Sequence, residues 1–99
     1  MLKFDPFDKS MRNLATRELN DAGVHANDLS EGMLTAYMPM FLSSMIAKDE
    51  FLLENSMAQV NSASTAPYRT AFMVLVNKAE GRLRDLRLLA QHYEDQEGA

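Results

Sequence analysis

From residue 66 to about residue 95 the chain carries one unbroken apolar stripe at helical spacing. Its members are Tyr68, Phe72, Leu75, Ala79, Leu83, Leu86, Ala90 and Tyr93, set apart by steps of 4, 3, 4, 4, 3, 4 and 3, and Val76 and Leu89 widen it. Steps of three and four place side chains on one face of an α-helix. Thirty residues of helix extend about 45 Å at 1.5 Å per residue. A compact domain of this size has a radius of gyration of about 13 Å, so in a chain of 99 residues this helix overhangs a compact packing. The economical answer is an elongated antiparallel helical hairpin whose open seam is covered by a second chain. Phe72, Leu75, Ala79, Leu83, Leu86 and Tyr93 are its expected core or dimer seam.

The rest of the chain is also helical by pattern. No segment alternates in the manner of a strand. Asp5 before Pro6 puts a capping carboxylate ahead of a proline at the first helical position. Phe7, Met11, Leu14, Ala15, Leu19 and Ala22 then form one face, and Gly23 is placed to end the helix in the left-handed conformation, with Val24 folding back on Leu19. A second helix is expected from Asn27 or Asp28, where Asp28 and Glu31 have capping-box spacing. Pro39 cannot donate to the carbonyl of Thr35 and crowds that turn, so a kink or a break is expected there. A third segment continues to residue 61, with a further possible break at Lys48, Asp49 and Glu50. The polar stretch 61–66 is the loop before the long last helix. The spacing thus predicts an all-α single domain over residues 1–99, with three to four helices at about 6–22, 28–37, 39–61 and 66–95. The C-terminal tail 94–99 is expected to fray.

Composition narrows the chemistry. There is no cysteine, which removes disulfides, zinc–thiolate sites and thiol nucleophiles. His25 and His92 are the only histidines, neither completes the Glu-x-x-His spacing of a di-iron bundle, and two surface histidines are the simpler reading. No serine has a nucleophile-elbow context, and the four glycines make no phosphate-binding loop. Glu18 borders the apolar face of the first helix, where a flanking ion pair explains it better than a catalytic carboxyl. No enzyme, metal or cofactor is expected. The longest uncharged run, Gly32 to Ala47, is sixteen residues, short of the ~20 that span a bilayer. The N-terminus lacks a signal-peptide core, so a soluble cytoplasmic protein with no membrane contact is expected.

Two binding readings remain. Residues 17–33 have the outline of a helix-turn-helix, and Lys9, Arg12, Arg17, Arg82, Arg84 and Arg87 are cations that can meet phosphates. Against it, Leu19 stands where the motif wants a small residue, Asp28 and Glu31 would meet phosphate with negative charge, and the net charge is −4. The favoured reading is a non-catalytic helical interaction module, an adaptor, inhibitor or regulator, that binds a protein partner as a homodimer. Eight methionines point the same way, since methionine adapts to irregular surfaces. The expected partner surface is Met33, Tyr37, Met38, Met40, Phe41 and Met45, with Asp49, Glu50 and Glu54 selecting a basic partner.

Overall fold

Two helices of 32 residues pair lengthwise and a shorter one crosses their open end. The structure, a computed structural model, describes residues 5–25 and 28–97. In chain order the elements are α1 (Asp5–Asp21), α2 (Glu31–Ser62) and α3 (Ala66–Glu97). At 1.5 Å per residue each long helix is about 48 Å, which matches the longest extent of 51 Å. The radius of gyration, 16.4 Å, exceeds that of a compact chain of this length. The expected all-α elongated hairpin is the fold observed.

Each helix end has a chemical cause. At the C-terminus of α1, Gly23 takes a φ of 102°. Its N–H reaches the Asn20 carbonyl at 3.1 Å, and that of Val24 reaches Leu19 at 3.0 Å. This pair of bonds is the Schellman arrangement expected there. The start of α2 differs from expectation. Ser30 is the N-cap, and its hydroxyl accepts from the Met33 N–H at 3.1 Å. Asp28 instead closes a turn on the His25 carbonyl at 2.9 Å. A serine hydroxyl aimed at the third residue satisfies an orphan donor directly, and Glu31 then follows as the acidic first-turn residue. Asn27, the other expected start, lies outside the described residues, as do residues 98 and 99 of the expected tail. Residues 94–97 continue α3 as helix.

Of the kink or break expected at Pro39 the break does not occur, nor does the further one at Lys48–Glu50, because α2 runs through both as one helix. A mid-helix proline costs about 3 kcal/mol. Leu34, Met38, Phe41 and Leu42 on either side of it are all buried, and each such side chain contributes about 1.5–3 kcal/mol. Continuing the helix keeps all four in the core, which outweighs the lost hydrogen bond.

The α2–α3 seam follows a seven-residue period on both helices. Leu42, Ile46, Asp49, Leu53, Ser56 and Val60 face Phe72, Val76, Ala79, Leu83, Leu86 and Ala90. A 3.5-residue period is that of knobs-into-holes pairing. Of the residues expected in the core or dimer seam, Ala79, Leu83, Leu86 and Tyr93 are buried and Phe72 is half-buried. Leu75, expected in the core or dimer seam, is exposed, and Val76 takes the position in the α2–α3 seam. Both lie on seven-residue rows, but the row of Leu75 runs through Arg82 while that of Val76 runs through Leu83 and Ala90, so the apolar row is that of Val76.

α1 closes the open end. Met11 and Ala15 are buried against Leu34, Met38, Phe41, Leu42, Leu86, Leu89 and Tyr93, with Phe7, Leu14 and Leu19 half-buried beside them. A polar clasp fixes α1 in place. The buried Tyr93 hydroxyl donates to Asp8 Oδ1 at 2.7 Å and accepts from Arg12 Nη1 at 3.1 Å, and Arg12 also pairs with Glu31. Burial pushes the Tyr93 phenol up, the Asp8 bond adds to this, and the Arg12 bond opposes it.

The clasp makes a testable contribution. Tyr93→Phe should cost about 1.5 kcal/mol, the worth of a hydrogen bond to a charged group. A phenol whose folded pKa is raised stabilises fully below its unfolded value, about 10, and loses that stability as pH climbs through the folded value. Urea midpoints should therefore fall above pH 10 in the native chain, and less steeply in Tyr93→Phe.

Candidate protein-interaction surface

α1 is only 17 residues long, about 26 Å, and covers only part of the hairpin. Most of the large apolar side chains left outside sit on three faces.

The first face continues the groove that α1 fills. On α3, Leu89 lies under α1, and Arg82, Leu75 and Tyr68 follow it at seven-residue intervals toward the hairpin turn. On α2, Phe41 and Met45 are succeeded by Lys48 and Leu52 on the same side. Leu52, Tyr68 and Leu75 are all exposed. Lys48 and Lys78, also exposed, stand one turn from Leu52 and Leu75.

The second face is the back of α2, opposite the seam. Met33, Tyr37, Met40, Ser44, Ala47, Phe51, Glu54 and Ala58 recur at steps of 4, 3, 4, 3, 4, 3 and 4. Met40 is 72% exposed and Phe51 68%. Two hollows lie along this strip. One is lined by Pro39, Met40, Ser43, Ser44 and Ala47, the other by Phe51, Glu54, Asn55 and Ala58. α2 is thus apolar on two opposite faces, only one of which the chain itself covers.

The third is an open trough of about 520 Å³ on the other side of the hairpin. Leu53, Leu83 and Leu88 line it, with Glu80, Arg84, Arg87 and Gln91.

The expected partner residues divide between these faces and the core. Met33 and Met40 are exposed, and Tyr37 and Met45 half-buried. Met38 and Phe41 are buried and not accessible to a partner. They share a helix face with Leu34, and α1 lies over it. The acidic trio is also redistributed. Asp49 is buried in the seam, with Arg82 Nε 2.8 Å from its Oδ2. The Arg82 N–H is not aimed at that oxygen, so the contact is ionic and not a hydrogen bond. Glu50 accepts from Arg87 Nη2 at 3.1 Å. Glu54 alone of the three is left outside an ion pair, exposed on the back of α2.

The cations considered for phosphate are largely engaged within the chain. Arg12 holds Tyr93 and Glu31, Arg82 holds Asp49 and lies 3.9 Å from Met45 Sδ, and Arg87 holds Glu50. Lys9, Arg17 and Arg84 are exposed on different helix faces. The connection between α1 and α2 spans residues 22–30, longer than the 3–4-residue turn of a helix-turn-helix, and the start of α2 is packed under α1. Glu18 is exposed, and its carboxylate adds to the burial that raises the Tyr37 phenol. His25 is exposed, while His92 is half-buried and edge-on to Tyr93. Among the described residues no cluster of three histidines or carboxylates can hold a metal ion, and no helix is long and apolar enough to cross a membrane.

Phe51 and Leu52 are exposed residues of these faces that the sequence pattern did not single out, while Tyr68, the first residue of the expected stripe, is exposed as well. The second seven-residue row on α2 was the available signal for Phe51.

The Asp49–Arg82 pair can be tested alone. Arg82→Ala leaves a buried carboxylate without its cation and should cost about 2 kcal/mol, the half-exposed arginine keeping the loss below that of a fully buried pair. Asp49→Leu with Arg82→Ala should recover that loss in urea unfolding. No protein-family model, curated protein sequence or solved structure matches this chain.

Proposed function

We propose that this protein is a non-catalytic helical interaction module that works as a homodimer and holds a protein partner along its hairpin. The observation that carries the reading is the exposure of Leu52, Tyr68 and Leu75 in direct continuation of the groove that α1 fills. An amphipathic helix already occupies one half of that groove. A partner helix of the same kind fits the other half, its apolar residues at intervals of three, four and seven. The charge at the rim selects it. Lys48 and Lys78 flank the apolar floor, while Asp49 and Glu50 are consumed by arginines of the same chain. The partner helix is therefore acidic along its edges, not basic. Adaptor, inhibitor and regulator are all roles such a module can serve, each through occupancy of this groove.

Site-specific photo-crosslinking tests the reading. A photoreactive residue at Leu75 should capture one discrete protein in native cells, while the same group at Asn13, exposed on α1, should not. Capture of nucleic acid at Leu75, or equal capture at both positions, contradicts it.

A further inference from the structure

The back of α2 is a different surface, and its shape names its occupant. Phe51 and Met40 are its two projections. Its two shallow depressions are the hollow of Pro39, Ser43, Ser44 and Ala47, which Met40 also lines, and the hollow of Glu54, Asn55 and Ala58, which Phe51 also lines. The midpoint between Phe51 and the centre of the first hollow falls at about residue 47. The midpoint between Met40 and the centre of the second falls at about the same residue. A twofold axis through Ala47 therefore seats both projections of one protomer in both hollows of another at once. The axis itself falls on an alanine, which lets the two backbones approach closely.

We infer that two copies of this chain dimerise antiparallel through the backs of their α2 helices, Phe51 of each entering the Pro39–Ala47 hollow of the other and Met40 the Asn55–Ala58 hollow. The inference rests on the dimeric reading above and gives it a surface. Charge agrees with shape. Over the whole strip Glu54 is the one charged residue, so there is nothing with which to select a charged partner. Met33, Met40 and Phe51, at 49%, 72% and 68% exposure, offer on the order of 400 Å² together. That is half of the roughly 800 Å² per partner of a standard interface. The three large side chains supply half of the area, and the exposed Ser44, Ala47, Glu54 and Ala58 must supply the rest. The α1 groove faces another direction, so the dimer leaves it free for the protein partner.

The absence of cysteine makes the test clean, because one introduced thiol is the only thiol. Ala47→Cys and Ala58→Cys are compared under a short bismaleimide at micromolar concentration, with sedimentation run on the same samples. At the axis, two Ala47→Cys thiols should link in more than half the chains. Two Ala58→Cys thiols lie about 33 Å apart in the antiparallel pair and should link in less than a tenth. Phe51→Asp, at an exposed position, should keep its helical circular dichroism and raise the dimer dissociation constant about 100-fold. Linking at both positions indicates a parallel pair and overturns the arrangement. A dimer by sedimentation in which Ala47→Cys stays unlinked overturns this interface and leaves the dimeric reading standing. A monomer by sedimentation removes both.

Discussion

Everything distinctive in this structure follows from a mismatch of lengths. Two helices of 32 residues are paired along their whole length, and one helix of 17 is available to cover them. Where α1 lies, the chain has a conventional three-helix core, with Met38, Leu42, Leu86 and Leu89 fully buried. Beyond α1 the hairpin is two helices thick. A pair of helices buries only the facing stripe of each, so Leu52, Tyr68 and Leu75 meet solvent although they continue rows that are buried farther along. Exposed apolar rows of this length are what a helix-binding surface consists of before its partner arrives.

α2 bears most of the consequences. It supplies one face to α3 and α1 and a second to solvent, and it accommodates a proline and a buried aspartate while doing so. Pro39 is tolerated because the residues around it are core residues. Asp49 is tolerated because Arg82 reaches it from α3. A charged residue in a seven-residue seam fixes which turns of the two helices meet. With Glu50–Arg87 beside it, the pair sets the register of the hairpin where Ser56 and Ala79 give the seam little apolar mass. The Tyr93 clasp does the equivalent for α1, tying Asp8 and Arg12 of one helix to the last turns of another.

Most of the fold was legible in the sequence because the strongest signals were local. The thirty-residue stripe implied an elongated hairpin, and Gly23 after a helical run implied a Schellman end. The errors came where local chemistry lost to packing or to distant pairing. Pro39 reads as a kink or a break, and burial on both sides keeps the helix unbroken. Leu75 and Val76 are equally apolar, and only the rest of each seven-residue row distinguishes them, Arg82 beyond Leu75 against Leu83 and Ala90 beyond Val76. Asp49 and Glu50 read as a free acidic surface because their arginines lie 33 and 37 positions away. Met38 and Phe41 read as a groove beside Met40, but successive residues of a helix point in different directions, and α1 claims those on one side. The exposed strip through Met40 and Phe51 was visible as a second seven-residue row, hidden by the stronger expectation of a break in the middle of it.

The central claim is that the hairpin is one half of a larger assembly, its apolar surfaces covered by another chain. Sedimentation equilibrium of the unmodified protein at micromolar concentration tests it most directly. The account predicts a single species of twice the 11.2 kDa chain mass. A single species of 11.2 kDa, unchanged as concentration rises tenfold, would contradict it.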